Sequence, residues 1–227
     1  TLGGYLQKFE NGKTSVNVAA FVGANTIRTA VLGEANVQPN PEQLAKMRGM
    51  VRMAMEEGAL GVTTALIYAP DTYATTAELT SLATESARCG GMYISHMRSE
   101  GDRLVEGVQE TIDIARASGA PAEIYHLKAA GRENWPKLDT VIGMVNAARA
   151  SGVRITADMY TYPAGASGLD ASMPPWVQDG GQEAWIARLA DPAIRARVLV
   201  DMRDPHPEWE NLLQKSGPEG TMVLAVR

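Results

Sequence analysis

At 227 residues and 45% hydrophobic, the chain is long enough to bury a full core. A formal net charge of -5 with no basic block leaves no footprint of nucleic acid or of an anionic membrane surface. The single cysteine excludes an internal disulfide framework, the apolar runs fall far short of the about 20 residues of a membrane span, and no signal peptide opens the chain, so a cytoplasmic location is expected.

The chain opens at Thr1, not Met, in a polar segment, as expected of an interior piece of a longer protein. The first strand-like run is Val16 to Gly23. Asn40 before Pro41, with Gln43 three residues after the cap, opens a helix whose Leu44, Met47, Val51 and Ala54 recur at helical spacing. A second strand begins at Ala59, and Thr75 with Glu78 forms a capping box for the next helix. Further strands begin near Gly91, Pro121 and Gly152, a period of about thirty residues that suits one strand plus one helix per unit. Leu104, Val108, Ile112 and Ala115 make the apolar stripe of one intervening helix, and Leu138, Val141, Ile142 and Val145 that of another. Gly58, Gly90, Gly119 and Gly152 stand where a left-handed residue ends each helix.

Mostly apolar strands alternating with helices predict parallel β-structure covered on both faces. Five such strands by residue 160 predict an α/β fold, an incomplete (β/α)8 TIM-type barrel cut at both ends, with an open doubly wound sheet as the structural alternative. After Tyr162 a Pro- and Gly-rich loop leads to helical stretches near 182–190 and 192–203 and a short strand at 221–226. The expected division is therefore 1–162, a partial barrel of five strands, and 163–227, an insertion lobe.

The chemistry gathers at the strand ends. His96 and His126 close equivalent strands thirty residues apart, which brings two imidazoles side by side if the strands are parallel neighbours. Ring nitrogens sharing one zinc ion should then lie roughly 3 to 3.5 Å apart. Lys128 or Arg98 is placed to hold a substrate carboxylate, and Tyr160 to donate to a developing oxyanion. Asp158 ends the strand after that of His126. Cys89 ends a helix and reads as a packing residue, and His206 as a surface loop residue. Neither a Gly-rich phosphate loop nor a Gly-x-Ser-x-Gly elbow occurs, which weakens kinase, nucleotide-binding and serine-hydrolase readings.

Four segments carry a resemblance: the run from Gly58 to Pro70, SHMRSEGDRL from Ser95, YHLKAAG from Tyr125, and ADMYTYPAGASGLDASMPPW from Ala157. Over nearly the whole chain they resemble the N-acyl-D-amino-acid deacylase (D-aminoacylase) branch of the amidohydrolase superfamily. The resemblance implies zinc-dependent hydrolysis of the amide of small N-acyl-D-amino acids, with His96 and His126 as metal ligands on barrel strands five and six. It implies Lys128, Tyr160 and Tyr68 as the groups that position substrate carboxylate and oxyanion. The same resemblance implies a His-x-His pair on the first strand, a cysteine ligand on an early strand and an aspartate on the eighth, none of which this chain matches. Ala24 stands where many relatives carry histidine. Two other readings stay open: another amidohydrolase reaction such as cyclic-amide hydrolysis, and a non-catalytic fragment.

Overall fold

The computed structural model describes residues 1–204 and 208–224. In chain order its elements are α1 (Leu2–Gly12), β1 (Val22–Gly23), α2 (Ala24–Leu32), α3 (Pro41–Glu56), β2 (Gly61–Ala65), α4 (Thr76–Arg88), β3 (Met92–His96), α5 (Leu104–Ser118), β4 (Ala122–Ile124), α6 (Lys137–Ala150) and β5 (Ile155–Ala157). Beyond them lie α7 (Pro175–Gln178), α8 (Gln182–Ala190), α9 (Pro192–Asp201) and α10 (Leu212–Ser216). The strands form one parallel sheet in the order β1-β2-β3-β4-β5, so each strand pairs with its neighbour in sequence through a crossover. Register is continuous across the middle of the sheet: Thr64 pairs with Ser95, and Ser95 with Ile124.

Local sequence explains the helix boundaries. Asn40 and Gln43 close a reciprocal capping box on α3, with Pro41 at the first helical position. At α4 only half of the expected box forms. Thr75 accepts from the Glu78 N–H at 3.2 Å, while the Glu78 carboxylate turns to Arg28 at 2.6 Å, an ion pair buried between α2 and α4. The four expected stop glycines all have positive φ: 101° at Gly58, 79° at Gly90, 74° at Gly119 and 91° at Gly152.

The sheet is covered by helices on one face. Val62, Thr64, Tyr93, Ser95, Ala122, Ile124 and Ile155 are at most 3% exposed, and the apolar ones pack with the stripes of α3 to α6. Their polar members are satisfied laterally: Thr64 Oγ1 lies 3.0 Å from the Tyr93 hydroxyl and donates to Ser95 Oγ at 2.9 Å. On the other face Gly61 and Ile94 are buried but Thr63, Ala65, Met92, His96 and Glu123 are only half-buried, which corrects the expectation of cover on both sides. The half-open face is the one that carries His96.

Other differences follow from the edges of the sheet. Of the run 16–23, Val22 and Gly23 pair with β2 and the Ala20 carbonyl accepts the Leu60 N–H at 2.9 Å, while Val16 and Val18 are exposed. The stripe of α6 buries Val141 and Val145 but leaves Leu138 and Ile142 exposed, because α6 lies beside the edge strand β5. The helical stretches at 182–190 and 192–203 form as α8 and α9. Residues 221–224 are exposed and unpaired in place of the expected strand, whose last two residues lie outside the described set. Cys89 caps α4 and is exposed, not packed. His206 also lies outside the described residues. Among the described residues, no helix is long and apolar enough to cross a membrane.

Candidate metal centre

The two histidines meet because their strands are parallel, adjacent and in register, though they arrive differently. His96 is the last residue of β3. β4 ends at Ile124, Tyr125 extends the ladder by donating to the Ser95 carbonyl at 3.0 Å, and His126 turns off with φ 42°. A left-handed backbone is unfavourable for a residue with a side chain and persists where its surroundings enforce it. Asp158 supplies that enforcement, as its carboxylate accepts the His126 N–H and its carbonyl accepts the Leu127 N–H at 2.8 Å.

The outcome is a pair of imidazoles in edge-to-face contact, ring centroids 4.6 Å apart. His96 Nδ1 lies 2.9 Å from His126 Nε2, just short of the roughly 3 to 3.5 Å expected of nitrogens that share an ion and equally the length of a single N–H···N bond. Burial above all, against the opposing pull of the Glu100 carboxylate, lowers the His96 pKa to about 4, so its ring is neutral at pH 7 and keeps a lone pair. Its Nε2 is buried with no hydrogen-bond partner. A neutral imidazole whose Nδ1 faces a second ring nitrogen fits a borderline-soft divalent cation such as zinc.

A third group completes the cluster. Glu100, 3% exposed, lies with its carboxylate 2.8 Å from His126 Nδ1, 2.6 Å from Lys128 Nζ and 3.8 Å from His96 Nε2. Among the described residues, His96, Glu100 and His126 are the group whose donor atoms lie close enough together to hold a metal ion. Burial pushes the Glu100 carboxyl up, but the hydrogen bond from His126 and the ammonium of Lys128 outweigh it and hold the pKa below the usual value. The loop after β3 that carries Glu100 is fastened from two sides: the Ala130 N–H donates to the Glu100 carbonyl at 2.7 Å, and Glu210 accepts the N–H groups of Glu100 at 2.5 Å and of Gly101 at 3.2 Å.

Of the other residues singled out from the sequence, Lys128 joins the cluster, and its ammonium stands 5.3 Å from the Tyr160 ring centroid. Tyr160 lies 6.2 Å from the His126 ring, its phenol pKa raised by burial and by Glu100, so it is protonated and able to donate. Tyr68 lies 5.6 Å from the His96 ring, and its hydroxyl is 2.9 Å from Ser167 Oγ in the loop after β5. Arg98 is not brought into the group. Its guanidinium is engaged by Glu110 at 3.0 Å and by the carbonyls of Thr72 and Ala74 at 2.9 and 2.8 Å. Glu100 and the clamping role of Asp158 were not singled out from the sequence. The only available signal was the acidic residue four positions after His96.

No protein-family profile matches the chain. Among curated proteins it is 35% identical over 159 residues to the N-acyl-D-glutamate deacylase of Alcaligenes xylosoxydans xylosoxydans, covering 70% of this chain and 33% of that protein. It is 33% identical over 165 residues to the D-aminoacylase of the same organism, covering 73% and 34%. Among solved structures it is similar to the N-acyl-D-glutamate deacylase from Bordetella bronchiseptica, complexed with zinc and a phosphonate inhibitor that mimics the reaction's tetrahedral intermediate. That match has a TM-score of 0.70 at 31% identity and covers 71% of this chain and 34% of the other. The chain thus spans about a third of the length of the relatives it matches. Over that third, in sequence and in structure, it is similar to the D-aminoacylase family of amidohydrolases.

Proposed function

We propose that this chain is part of a zinc-dependent amidohydrolase that hydrolyses the amide bond of N-acyl-D-amino acids. In this reading residues 1–162 are strands about three to seven of an incomplete (β/α)8 barrel, and residues 163–227 are a lobe inserted after the seventh. The observation that carries it is the pair of ring nitrogens 2.9 Å apart on adjacent parallel strands, one ring held neutral by burial. Similarity to relatives named N-acyl-D-glutamate deacylase and D-aminoacylase supplies the substrate class.

His96 and His126 would hold the ion. Zinc bound there supplies Lewis acidity toward the amide carbonyl and toward water. Lys128 has three N–H donors; two face Glu100 and the His126 carbonyl, at 2.6 and 3.0 Å, and the third serves a substrate carboxylate when His126 Nδ1, 2.9 Å away, carries its own hydrogen. Tyr160, protonated across the neutral range, offers its O–H to the oxygen on which negative charge develops. Tyr68, bridged to Ser167, lines the same mouth and closes it with the loop after β5. Arg98 has no part in this assignment, since its donors brace the segment between β2 and α4 against α5.

The complete protein, purified and assayed for metal content and for release of free amino acid from N-acetyl-D-glutamate, N-acetyl-D-methionine, their L-enantiomers and a hydantoin, tests this. The expected result is bound zinc, turnover of the D-substrates alone, and loss of both zinc and turnover in His96→Ala and His126→Ala. Ring opening of hydantoin without deacylation would replace the reading with cyclic-amide hydrolysis, and a protein without zinc or turnover would make it a non-catalytic one.

A further inference from the structure

We propose that Glu100 is the positioning residue of this centre: its carboxylate fixes which nitrogen of His126 carries the proton, and so which one is presented to a metal. The inference rests on reading the histidine pair as a metal site and adds a role for a residue that reading leaves unassigned.

The argument begins with donor counting. An ionised carboxylate only accepts hydrogen bonds, and an ammonium only donates them. His126 Nδ1 has one of each nearby, Glu100 Oε1 at 2.8 Å and Lys128 Nζ at 2.9 Å. Lys128 is already satisfied by Glu100 Oε1 at 2.6 Å and the His126 carbonyl at 3.0 Å, so it does not need the ring nitrogen. The contact between Nδ1 and the carboxylate is favourable only if Nδ1 bears the hydrogen. An imidazole that ligates a metal is neutral and has one N–H, so with that hydrogen on Nδ1 the lone pair is left on Nε2, the nitrogen that faces His96 Nδ1 at 2.9 Å.

The same carboxylate reaches toward the second ring. Its other oxygen, Oε2, lies 3.8 Å from the buried, unpartnered Nε2 of His96. When His96 Nδ1 gives its lone pair to a metal, its proton must sit on Nε2, and Glu100 is the anion that faces it. Glu100 therefore lies behind both rings, opposite the gap between their facing nitrogens. The ammonium of Lys128 on Oε1 further disfavours a cation on the carboxylate itself. This makes Glu100 a brace behind the ligands, the arrangement by which carboxylates fix histidine tautomers in metal sites.

Nitrogen-15 NMR of histidine-labelled full-length protein tests the inference before and after zinc is added. His126 is expected to carry its proton on Nδ1 in both states, and His96 to shift its proton from Nδ1 to Nε2 when zinc binds. Glu100→Ala is expected to weaken the zinc dissociation constant by about 10- to 100-fold and to leave His126 in mixed tautomers, with Glu100→Gln, which keeps one acceptor oxygen, losing less. A zinc-loaded wild type with the His126 proton on Nε2 would mean that Glu100 and Nδ1 face the metal directly, and would overturn the proposal. So would an unchanged dissociation constant in a folded Glu100→Ala. If neither variant folds, the wild-type tautomers still decide. A wild type that takes up no zinc would instead remove the metal reading itself.

Discussion

Lys128 stands between two anions, the buried carboxylate of Glu100 and the carboxylate of the proposed substrate, and the balance between them defines what its substitution should do. Lys128→Met keeps much of the side chain's length and apolar stem but removes the charge. Loss of a charge-assisted hydrogen bond worth about 1.5 to 3 kcal/mol is expected to lower kcat/KM by about 10- to 100-fold, mainly through KM, with zinc content retained. Steady-state kinetics beside metal analysis of the complete protein checks this; unchanged kinetics would make Lys128 only the counterion of Glu100. His126, Lys128 and Tyr160 lie beyond the ends of β4 and β5 and come together because Asp158 holds the turn after β4, whereas the place of His96, the last residue of β3, was legible from its strand. Arg98 was not, although it follows His96 by two, because β3 ends at His96 and alternation no longer governs the side chain. Its guanidinium is captured by Glu110 on α5. Glu100 escaped for the same reason, since no periodicity ties a loop position to a site.

At the level of elements, the close approach of β2 and β3 makes Gly61 the most exacting position. A Cβ built there would lie 2.0 Å from the Met92 carbonyl oxygen and 2.7 Å from its nitrogen, both backbone atoms that cannot move without breaking the ladder. Gly61→Ala is therefore expected to destabilise by about 3 kcal/mol or more, measurable by urea denaturation. Asn40→Ala, which deletes the acceptor half of an exposed capping box, is expected to cost only about 1 kcal/mol. A Gly61→Ala loss no larger than that of Asn40→Ala would show that the two strands can separate. The helices α3, α4 and α5 were legible because caps, stripes and stop glycines agree. The helices α1 and α2 were passed over, although Leu2, Tyr5, Leu6 and Phe9 recur at helical spacing, because the polar residues between them masked the period. The run 16–23 misled in the opposite direction: its valines have strand propensity, but that propensity reflects a fit to a half-buried pleated surface, which Val16 and Val18 lack.

For the molecule as a whole, the decisive feature is a five-stranded parallel sheet covered by helices on one face and half-open on the other. Parallel sheets are ordinarily buried on both faces, and the open face here is the one that carries His96. The two edge strands, β1 and β5, also present unpaired backbone groups on their outer sides, which invite pairing with another copy. Catalytic zinc usually takes three protein ligands and a water, whereas this cluster offers two histidines braced by a carboxylate. The 227-residue chain expressed by itself is accordingly expected to retain zinc weakly, to release no measurable D-amino acid from N-acetyl substrates, and to associate or precipitate. Equilibrium dialysis against zinc, an amino-acid release assay and size-exclusion chromatography read these three outcomes. Stoichiometric zinc with turnover above background would refute the expectation. It would mean that a further residue of this chain, with Glu100 or Asp158 the nearest acids, serves as the third ligand rather than as a brace.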